Sequence, residues 1–244
     1  MRIYLLLLVL VLASCHSTTY LQDTQSRSRT VDESARTDDD IDAYIAPYRE
    51  QLAADMDAVV AQVAESMPKS KTDPRLGHWM ADCIQAFAQM NASAPVDFSL
   101  QNYGGIRVSE LRQGPLTVRK LYELMPFENS LVVVTLDAEA AMALMRDIAD
   151  SDGWPVSEGL YMETEYGKPT KILINDRPLS ELSSIRVAMP DYIANGGDGS
   201  TYLADMPKED LRVLIRDVLI NAAKESGERE EEIAGDPVPR IQVL

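Results

Sequence analysis

The segment NSLVVVTLDAEAAMALMRDIADS, residues 129–151, constrains the fold more than any other part of the chain. Its β-branched run predicts a buried strand, and the Ala-, Met- and Leu-rich run that follows predicts a helix. Asp137 stands between the two runs and predicts the helix N-cap, because its carboxylate can accept a hydrogen bond from a backbone N–H of the first turn. The chain therefore changes directly from strand to helix at this point.

Strands and helices are interspersed along the rest of the chain. Apolar residues at helical spacing predict helices over residues 41–63, 76–90 and 207–226. Strand-like patterns occur at residues 96–102 and 240–244, within residues 160–179, and from residue 183 up to the loop at 192–199. Thr117 predicts the N-cap of a short helix, and turns at 167–169 and 175–176 predict hairpins. Hairpins in such a sequence favour an α+β fold, with a mixed β-sheet packed with helices, over a purely parallel sheet.

The first fifteen residues, MRIYLLLLVLVLASC, differ from the rest of the chain. Arg2 precedes an apolar run that is too short to cross the roughly 30 Å hydrocarbon core as a permanent helix, so the segment predicts a signal sequence. The run ends in Leu-Ala-Ser-Cys, which resembles a bacterial lipobox with Cys15 as the lipidated residue. The alternative is an ordinary signal in which this cysteine is incidental.

The predicted organisation has three parts. Residues 1–15 are the lipoprotein signal, and residues 16–40, which are polar and rich in Ser, Thr and Asp, are a flexible tether. Residues 41–244 form one folded domain. We therefore expect a protein of the cell envelope, lipid-anchored to a membrane and facing the periplasm or the surface.

The charge and the scarcity of certain residues exclude several functions. The formal net charge of −16 argues against nucleic acid as a partner, because such binding needs a basic face. The two histidines are His16 and His78, and no motif of a metal site or of a nucleophilic hydrolase occurs. We expect no metal ligands and no catalytic residues in this chain, and expect His78 to cap or pack near the start of its helix.

Three loops contain residue types that suit ligand binding. In QNYGGIR, residues 101–107, the glycines allow close backbone approach and Arg107 offers a fork for a phosphate or carboxylate. In MPFEN, residues 125–129, Phe127 offers a face for stacking a ring. In YIANGGDG, residues 192–199, Tyr192 is a second aromatic, and Asp198 can accept hydrogen bonds from a diol. Taken singly, each has a structural alternative: a turn, an aromatic that fills the core, or a hairpin corner.

In this order, LGHWMAD, QNYGGIR, MPFEN and YIANGGDG resemble the C-terminal domain of the 5'-nucleotidase / UDP-sugar hydrolase / 2',3'-cyclic phosphodiesterase family, over roughly residues 41 to 226. The resemblance implies that fold and a nucleotide-binding role. It also implies that the divalent metals, of the Zn, Mn or Co type, and the hydrolysis belong to a separate metallophosphatase domain. The substrate-binding residues that it implies are Asn102, Gly104, Gly105, Arg107, Phe127, Asn129, Tyr192, Gly197 and Asp198.

The sequence departs from the family pattern at three places. Tyr192 stands where the family usually has Phe, a mild change that keeps the π-face. His78 replaces a usual asparagine. The family also has an arginine shortly before the Leu-Gly motif, and the residues that could replace it here are Lys69, Lys71 and Arg75.

The resemblance and the expected lipid anchor suggest two main functions. The first is the nucleotide-binding subunit of a split 5'-nucleotidase that dephosphorylates nucleotides for catabolism or salvage, with the catalytic domain on a separate chain. The alternative is a non-catalytic envelope lipoprotein that captures nucleotides or nucleosides. A third hypothesis, an envelope scaffold without a ligand, does not account for both aromatics, the acid and the arginine.

Overall fold

The computed structural model describes residues 38–244, so Cys15, the predicted signal sequence and almost all of the predicted tether lie outside the described residues. The chain divides after Ala46 into two units. The first unit is described over residues 38–46 only, and these include the beginning of helix α1. No helix among the described residues is long and apolar enough to cross a membrane.

Residues 38–244 form six α-helices and twelve strands. The helices are α1 (Asp39–Met56), α2 (Arg75–Asn91), α3 (Val118–Leu124), α4 (Ala138–Asp150), α5 (Asp191–Ala194) and α6 (Ile215–Glu228). The strands are β1 (Val59–Val63), β2 (Met67–Pro68), β3 (Phe98–Ser99), β4 (Glu110–Leu111), β5 (Gly114–Thr117), β6 (Ser130–Asp137), β7 (Leu160–Glu165), β8 (Lys168–Ile174), β9 (Arg177–Pro178), β10 (Ser184–Pro190), β11 (Lys208–Leu214) and β12 (Ile241–Val243).

The two larger sheets each combine parallel and antiparallel pairs. In the first, with order β11-β6-β10-β3, β6 pairs antiparallel with both β10 and β11, and β3 pairs parallel to β10. In the second, with order β12-β7-β8-β9, the hairpin strands are antiparallel and β12 is parallel to β7. Strands β1 and β5 form one small antiparallel pair, and β2 and β4 form another. The predicted α+β fold with mixed sheets is confirmed.

Strand β6 has apolar residues on both faces and so contributes to two hydrophobic cores. Leu131 and Val133 pack into a core with α2, α3 and α6. Val132, Val134 and Leu136 point the other way, into a core with α4 and the second sheet. Successive side chains of a strand point to opposite faces, so an unbroken apolar run is expected where both faces are covered.

The two predicted helix N-caps, Asp137 and Thr117, are confirmed. The Asp137 carboxylate accepts a hydrogen bond from the Ala140 N–H at 2.9 Å, and the Thr117 hydroxyl oxygen accepts one from the Lys120 N–H at 3.3 Å. The hairpin turns also occur, with positive φ at Tyr166 and at Asn175. Each of these features depends on residues close together in sequence.

The prediction of one helix over residues 41–63 is wrong at its end. Helix α1 ends at Met56, and Val59–Val63 forms strand β1, which pairs with β5. Ala61 and Val63 on one face of this strand are buried. A distant partner strand and burial have overridden the helical spacing, as tertiary context does for β-branched residues.

The predicted helix over residues 207–226 is also wrong in its first part. Lys208–Leu214 forms β11, and α6 begins only at Ile215. The pairing of β11 with β6 shifts register between Asp210 and Leu214, and Arg212 there has a φ of +56°. The strand at 96–102 is shorter than expected, because only Phe98–Ser99 pairs as a strand, with an isolated bridge from Leu100 to Val156.

A buried polar cluster connects α2 to the segment before β12. His78 is 3% exposed, and its Nδ1 lies 2.9 Å from the Asp236 carbonyl oxygen. Arg240, also buried, donates to both carboxylate oxygens of Asp82, at 2.7 and 2.8 Å. Burial lowers the pKa of His78 below the 6.5 of an exposed histidine, and the hydrogen bond to Asp236 opposes that shift only in part.

We expect His78 to make stability fall on mild acidification. The unfolded histidine takes up a proton as the pH falls through about 6.5, whereas the folded histidine resists protonation, so the free energy of unfolding decreases from pH 7.5 towards 5.5. His78→Asn keeps a side-chain donor without a titrating ring and should show a flatter slope. Urea unfolding at several pH values measures the slopes, and equal slopes in both proteins would contradict the assignment.

Candidate functional site

Three loops meet at one edge of the sheet that contains β6. Strand β10 runs antiparallel to β6, so its last residue, Pro190, lies opposite Leu131 near the start of β6. Strand β3 runs parallel to β10, with Ser99 opposite Ala188, so the chain leaves β3 at the same edge. The sheet therefore brings together the loops 101–107, 125–129 and 192–199, which are the three loops that the sequence analysis selected.

A cleft of about 230 Å³ lies between these loops. Its lining residues are Asn102, Gly104, Gly105, Phe127, Asn129 and Tyr192. These are six of the nine substrate-binding residues expected from the sequence. The other three, Arg107, Gly197 and Asp198, do not line the cleft, but each lies close to a residue that does.

Two exposed aromatic side chains give the cleft apolar surface. Phe127 is 36% exposed and Tyr192 is 47% exposed. The Arg107 guanidinium lies 5.5 Å from the centre of the Phe127 ring, within the range of a cation–π contact. The alternative that Phe127 fills the core does not agree with this placement, since a residue that fills the core would be buried.

Asp198 lies at the centre of a hydrogen-bond network beside the cleft. One carboxylate oxygen accepts from the Asn102 Nδ2 at 2.6 Å, and the other accepts from the Tyr192 hydroxyl at 2.9 Å. Asn102 and Asp198 are 96 positions apart in the sequence. The network therefore joins the first and the third loop.

Gln101, which the sequence analysis missed, fixes the orientation of Asn102. Gln101 is fully buried, and its Nε2 donates to the Asn102 Oδ1 at 2.9 Å. Because that oxygen is engaged, the Asn102 amide directs its NH₂ group towards Asp198. The only sequence signal was a polar residue directly after a buried strand.

Two glycines are required by close contacts in these loops. A Cβ on Gly105 would lie 2.1 Å from the Gln101 Nε2, and a Cβ on Gly197 would lie 2.6 Å from the Tyr192 ring. Gly105 thus leaves room for the buried glutamine, and Gly197 leaves room for the aromatic side chain. Asp198 follows with a φ of +50°, a left-handed conformation that is uncommon outside glycine.

Arg216, at the start of α6, supports the loop that contains Phe127. Its guanidinium lies 4.2 Å from the centre of the Tyr122 ring and donates to the Phe127 carbonyl oxygen at 3.4 Å. The neighbouring Ile215 N–H donates to the Asn129 carbonyl oxygen at 2.9 Å. The sequence analysis missed this role, because it depends on a helix 86 residues or more further along the chain.

The structure distinguishes the three cations that could replace the family's upstream arginine. Arg75 is paired with Asp73 at 2.5 Å and with Glu65 at 2.6 Å, and these contacts raise its pKa. Lys71 donates to the Ser151 carbonyl oxygen. Both lysines contact the loop that contains Arg107, but at different places. The Lys71 Nζ lies 6.0 Å from the centre of the Tyr103 ring, whereas the Lys69 Nζ donates to the carbonyl oxygen of Ile106, the residue before Arg107, at 2.8 Å.

Helix α4 holds the end of the third loop. The Asp147 carboxylate accepts from the Ser200 hydroxyl at 2.5 Å and from the Tyr202 hydroxyl at 2.8 Å. Ser200 is fully buried. Partial burial, together with the bond to Asp147, raises the pKa of Tyr202. The glycine-rich loop is therefore fixed to α4 just beyond Gly199.

The described residues do not fit a metal site. No group of three or more His, Cys, Asp or Glu side chains within residues 38–244 is placed to hold a metal ion. Asp198 is engaged by an amide and a hydroxyl instead of by other carboxylates. What the arrangement offers chemically is apolar ring surface with a hydrogen-bonding carboxylate beside it.

Comparison with known proteins shows which family and which fold this chain resembles. Residues 55–205 match the family model described as 5'-nucleotidase, C-terminal domain. A 5'-nucleotidase of Vibrio parahaemolyticus is 24% identical over 181 residues, which are 72% of this chain and 32% of the relative. The chain spans about a third of the length of the curated relatives that it matches first.

Solved structures agree with the family match. The 5'-nucleotidase precursor from Thermus thermophilus superimposes with a TM-score of 0.69 at 26% identity, over 87% of this chain and 44% of that one. A putative 5'-nucleotidase from Staphylococcus aureus gives a TM-score of 0.66 at 16% identity, over 87% of this chain and 45% of that one, and shares the fold.

We expect Asp147→Ala to loosen the third loop. The change leaves the buried Ser200 hydroxyl without its acceptor, so the free energy of unfolding should fall by about 1–3 kcal/mol. Urea denaturation followed by circular dichroism measures this, and hydrogen exchange of residues 196–203 should become faster. Asp150→Ala, an exposed carboxylate on the same helix, is the control and should change stability by no more than about 0.5 kcal/mol. Equal effects of the two changes would contradict the anchoring role.

Proposed function

Because the chain belongs to the 5'-nucleotidase C-terminal domain family, we propose that its cleft holds the nucleoside part of a nucleotide during dephosphorylation. The observation that carries the proposal is the cleft itself, where exposed Phe127 and Tyr192 are combined with the carboxylate of Asp198. Aromatic faces bind a base by stacking, and a carboxylate accepts hydrogen bonds from sugar hydroxyls. Within residues 38–244, the sequence analysis selected only these three loops as a ligand-binding site.

Each part of the ligand has a partner in this proposal. The base lies between Phe127 and Tyr192, and the sugar hydroxyls face Asp198. Asn129 lines the same cleft and has a side-chain amide for the edge of the base. The phosphate lies towards Arg107, whose planar guanidinium suits phosphate oxygens.

The net charge of −16 does not oppose such an anion strongly. Charges beyond about 8 Å are largely screened at physiological salt, so the groups next to the phosphate decide its binding. Lys69 contacts the carbonyl of the residue before Arg107. Of the three candidate cations, it is therefore the one proposed to assist Arg107.

Hydrolysis itself is assigned to a separate polypeptide that carries a dimetal site. The matched relatives are named for nucleotide hydrolysis, and this chain corresponds to about a third of their length. The proposal gives this chain the binding part of the reaction, and Cys15 the role of a lipid anchor that keeps it in the cell envelope. The alternative, a lipoprotein that captures nucleosides or nucleotides without catalysis, uses the same cleft.

We expect Asp198→Ala to weaken adenosine binding selectively. The loss of an acceptor for the sugar hydroxyls should raise the Kd for adenosine about 10- to 100-fold, as for a hydrogen bond to a charged group. The Kd for adenine, which has no sugar, should change little. Titration calorimetry measures both. Asp205→Ala, an exposed carboxylate nearby in the chain, is the control, and an unchanged adenosine Kd in Asp198→Ala would refute the sugar assignment.

If hydrolysis belongs to a separate chain, this protein alone should bind AMP without hydrolysing it. The purified chain should bind AMP yet release no phosphate from it, even when Mn²⁺, Co²⁺ or Zn²⁺ is added, and phosphate assays test this directly. If the pure protein released phosphate from AMP in a metal-dependent manner, the assignment of hydrolysis to a separate chain would be wrong. Affinity purification from native membranes separates the two functions: metal-dependent AMP hydrolysis should accompany the chain if it is a subunit, and nucleotide binding alone would support the capture protein.

A further inference from the structure

The hydroxyl of Tyr192 makes two contacts with the same residue. It donates to the Asp198 Oδ1 at 2.9 Å, and it accepts from the Asp198 N–H at 3.4 Å. The two residues are only six positions apart and enclose a tight glycine-rich turn. The Tyr192 hydroxyl therefore connects the start of this turn to both the backbone and the carboxylate of Asp198.

The conformation of Asp198 is one that needs such support. Its φ of +50° is left-handed, and for a residue other than glycine this conformation is unfavourable because the Cβ crowds the backbone. A hydroxyl that binds both the backbone N–H and the carboxylate offsets that cost. It also fixes the direction in which the carboxylate points.

The ring of Tyr192 is held where its hydroxyl can do this. The ring packs so closely on Gly197 that even a methyl group there would lie 2.6 Å from it. The same side chain lines the cleft. One residue thus contributes a stacking surface and, through its hydroxyl, orients the neighbouring acid.

The carboxylate of Asp198 is oriented before any ligand arrives. Tyr192 engages one oxygen and Asn102 engages the other. A carboxylate oxygen has a second lone pair, so each oxygen can still accept a bond from a sugar hydroxyl. Groups that are fixed in advance lose less entropy when a ligand binds, which increases affinity.

We propose that the Tyr192 hydroxyl is the positioning group of Asp198 and thereby sets how strongly the cleft prefers ligands with a vicinal sugar diol over ligands without one. This inference rests on the proposed nucleoside site and adds to it a determinant of ligand selectivity. A phenylalanine at position 192 would keep the stacking face and lose the positioning. Tyr192 is thus more than an aromatic surface.

The test compares Tyr192→Phe with the unaltered protein. Titration calorimetry measures the Kd for adenosine, 2',3'-dideoxyadenosine and adenine. Tyr192→Phe should weaken adenosine about 3- to 10-fold, the effect of one lost hydrogen bond, and leave the other two ligands within about twofold. The ratio between adenosine and its dideoxy analogue, which a merely structural role would not move, is the decisive quantity.

Tyr161→Phe is the matched control. The Tyr161 hydroxyl donates to Glu163 at 2.9 Å, the same distance as in the pair under test, but on strand β7. This control should leave all three Kd values unchanged. A selectivity ratio in Tyr192→Phe that stays constant or increases would overturn the inference, and so would an equal loss for all three ligands.

A second measurement separates this inference from the proposed function. In the ligand-free protein, hydrogen exchange of residues 196–200 should become faster in Tyr192→Phe and stay unchanged in Tyr161→Phe. If the unaltered protein binds none of the three ligands, the proposed function fails, and the exchange data still decide whether the hydroxyl positions Asp198. Unchanged exchange in Tyr192→Phe would refute the positioning role.

Discussion

The antiparallel pairing of β6 with β10 is the contact on which the rest of the structure depends. It runs without interruption from Ser184 opposite Asp137 to Pro190 opposite Leu131. This pair forms the middle of the sheet that separates the two hydrophobic cores. Its ends also determine where the loops with Phe127 and Tyr192 leave the sheet, and the parallel attachment of β3 adds the loop with Asn102. Core and cleft are therefore consequences of one strand pair.

The cleft combines a rigid polar support with ring surfaces that remain exposed. Gln101 and Asn102 are buried and hydrogen-bonded in series to Asp198. The Gln101 and Asn102 amides each donate to the next side chain in this series, and such hydrogen bonds restrict the orientation of Asn102 and Asp198. Phe127 and Tyr192, in contrast, keep a large exposed fraction although they are large and apolar. Their rings are therefore accessible to solvent beside the polar support.

The sequence was sufficient where the signal is local and insufficient where the partner is distant. Asp137 caps the next helix, so both that helix and the strand before it could be predicted. Val59–Val63 was predicted as helix because the strand that pairs with it, β5, begins about 50 residues later. The residues that line the cleft were selected because four motifs occur in a characteristic order, whereas the three loop motifs taken singly suggested a turn, an aromatic that fills the core and a hairpin corner. The second contact of the Tyr192 hydroxyl, with the Asp198 N–H, could not be predicted from the motifs or from their order. It depends on the backbone geometry of the turn.

The separation of the cleft residues along the chain has a consequence for how the protein is made. Asn102 and Asp198 are bonded to each other although 96 positions separate them, and the sheet edge that joins their loops needs β3, β6 and β10 together. Contacts of such long range form slowly, since the intervening chain must first be ordered. A nascent chain on the ribosome therefore has no complete cleft until synthesis has passed Asp198. The cleft thus assembles late in synthesis, after the strands that position its three loops have all left the ribosome.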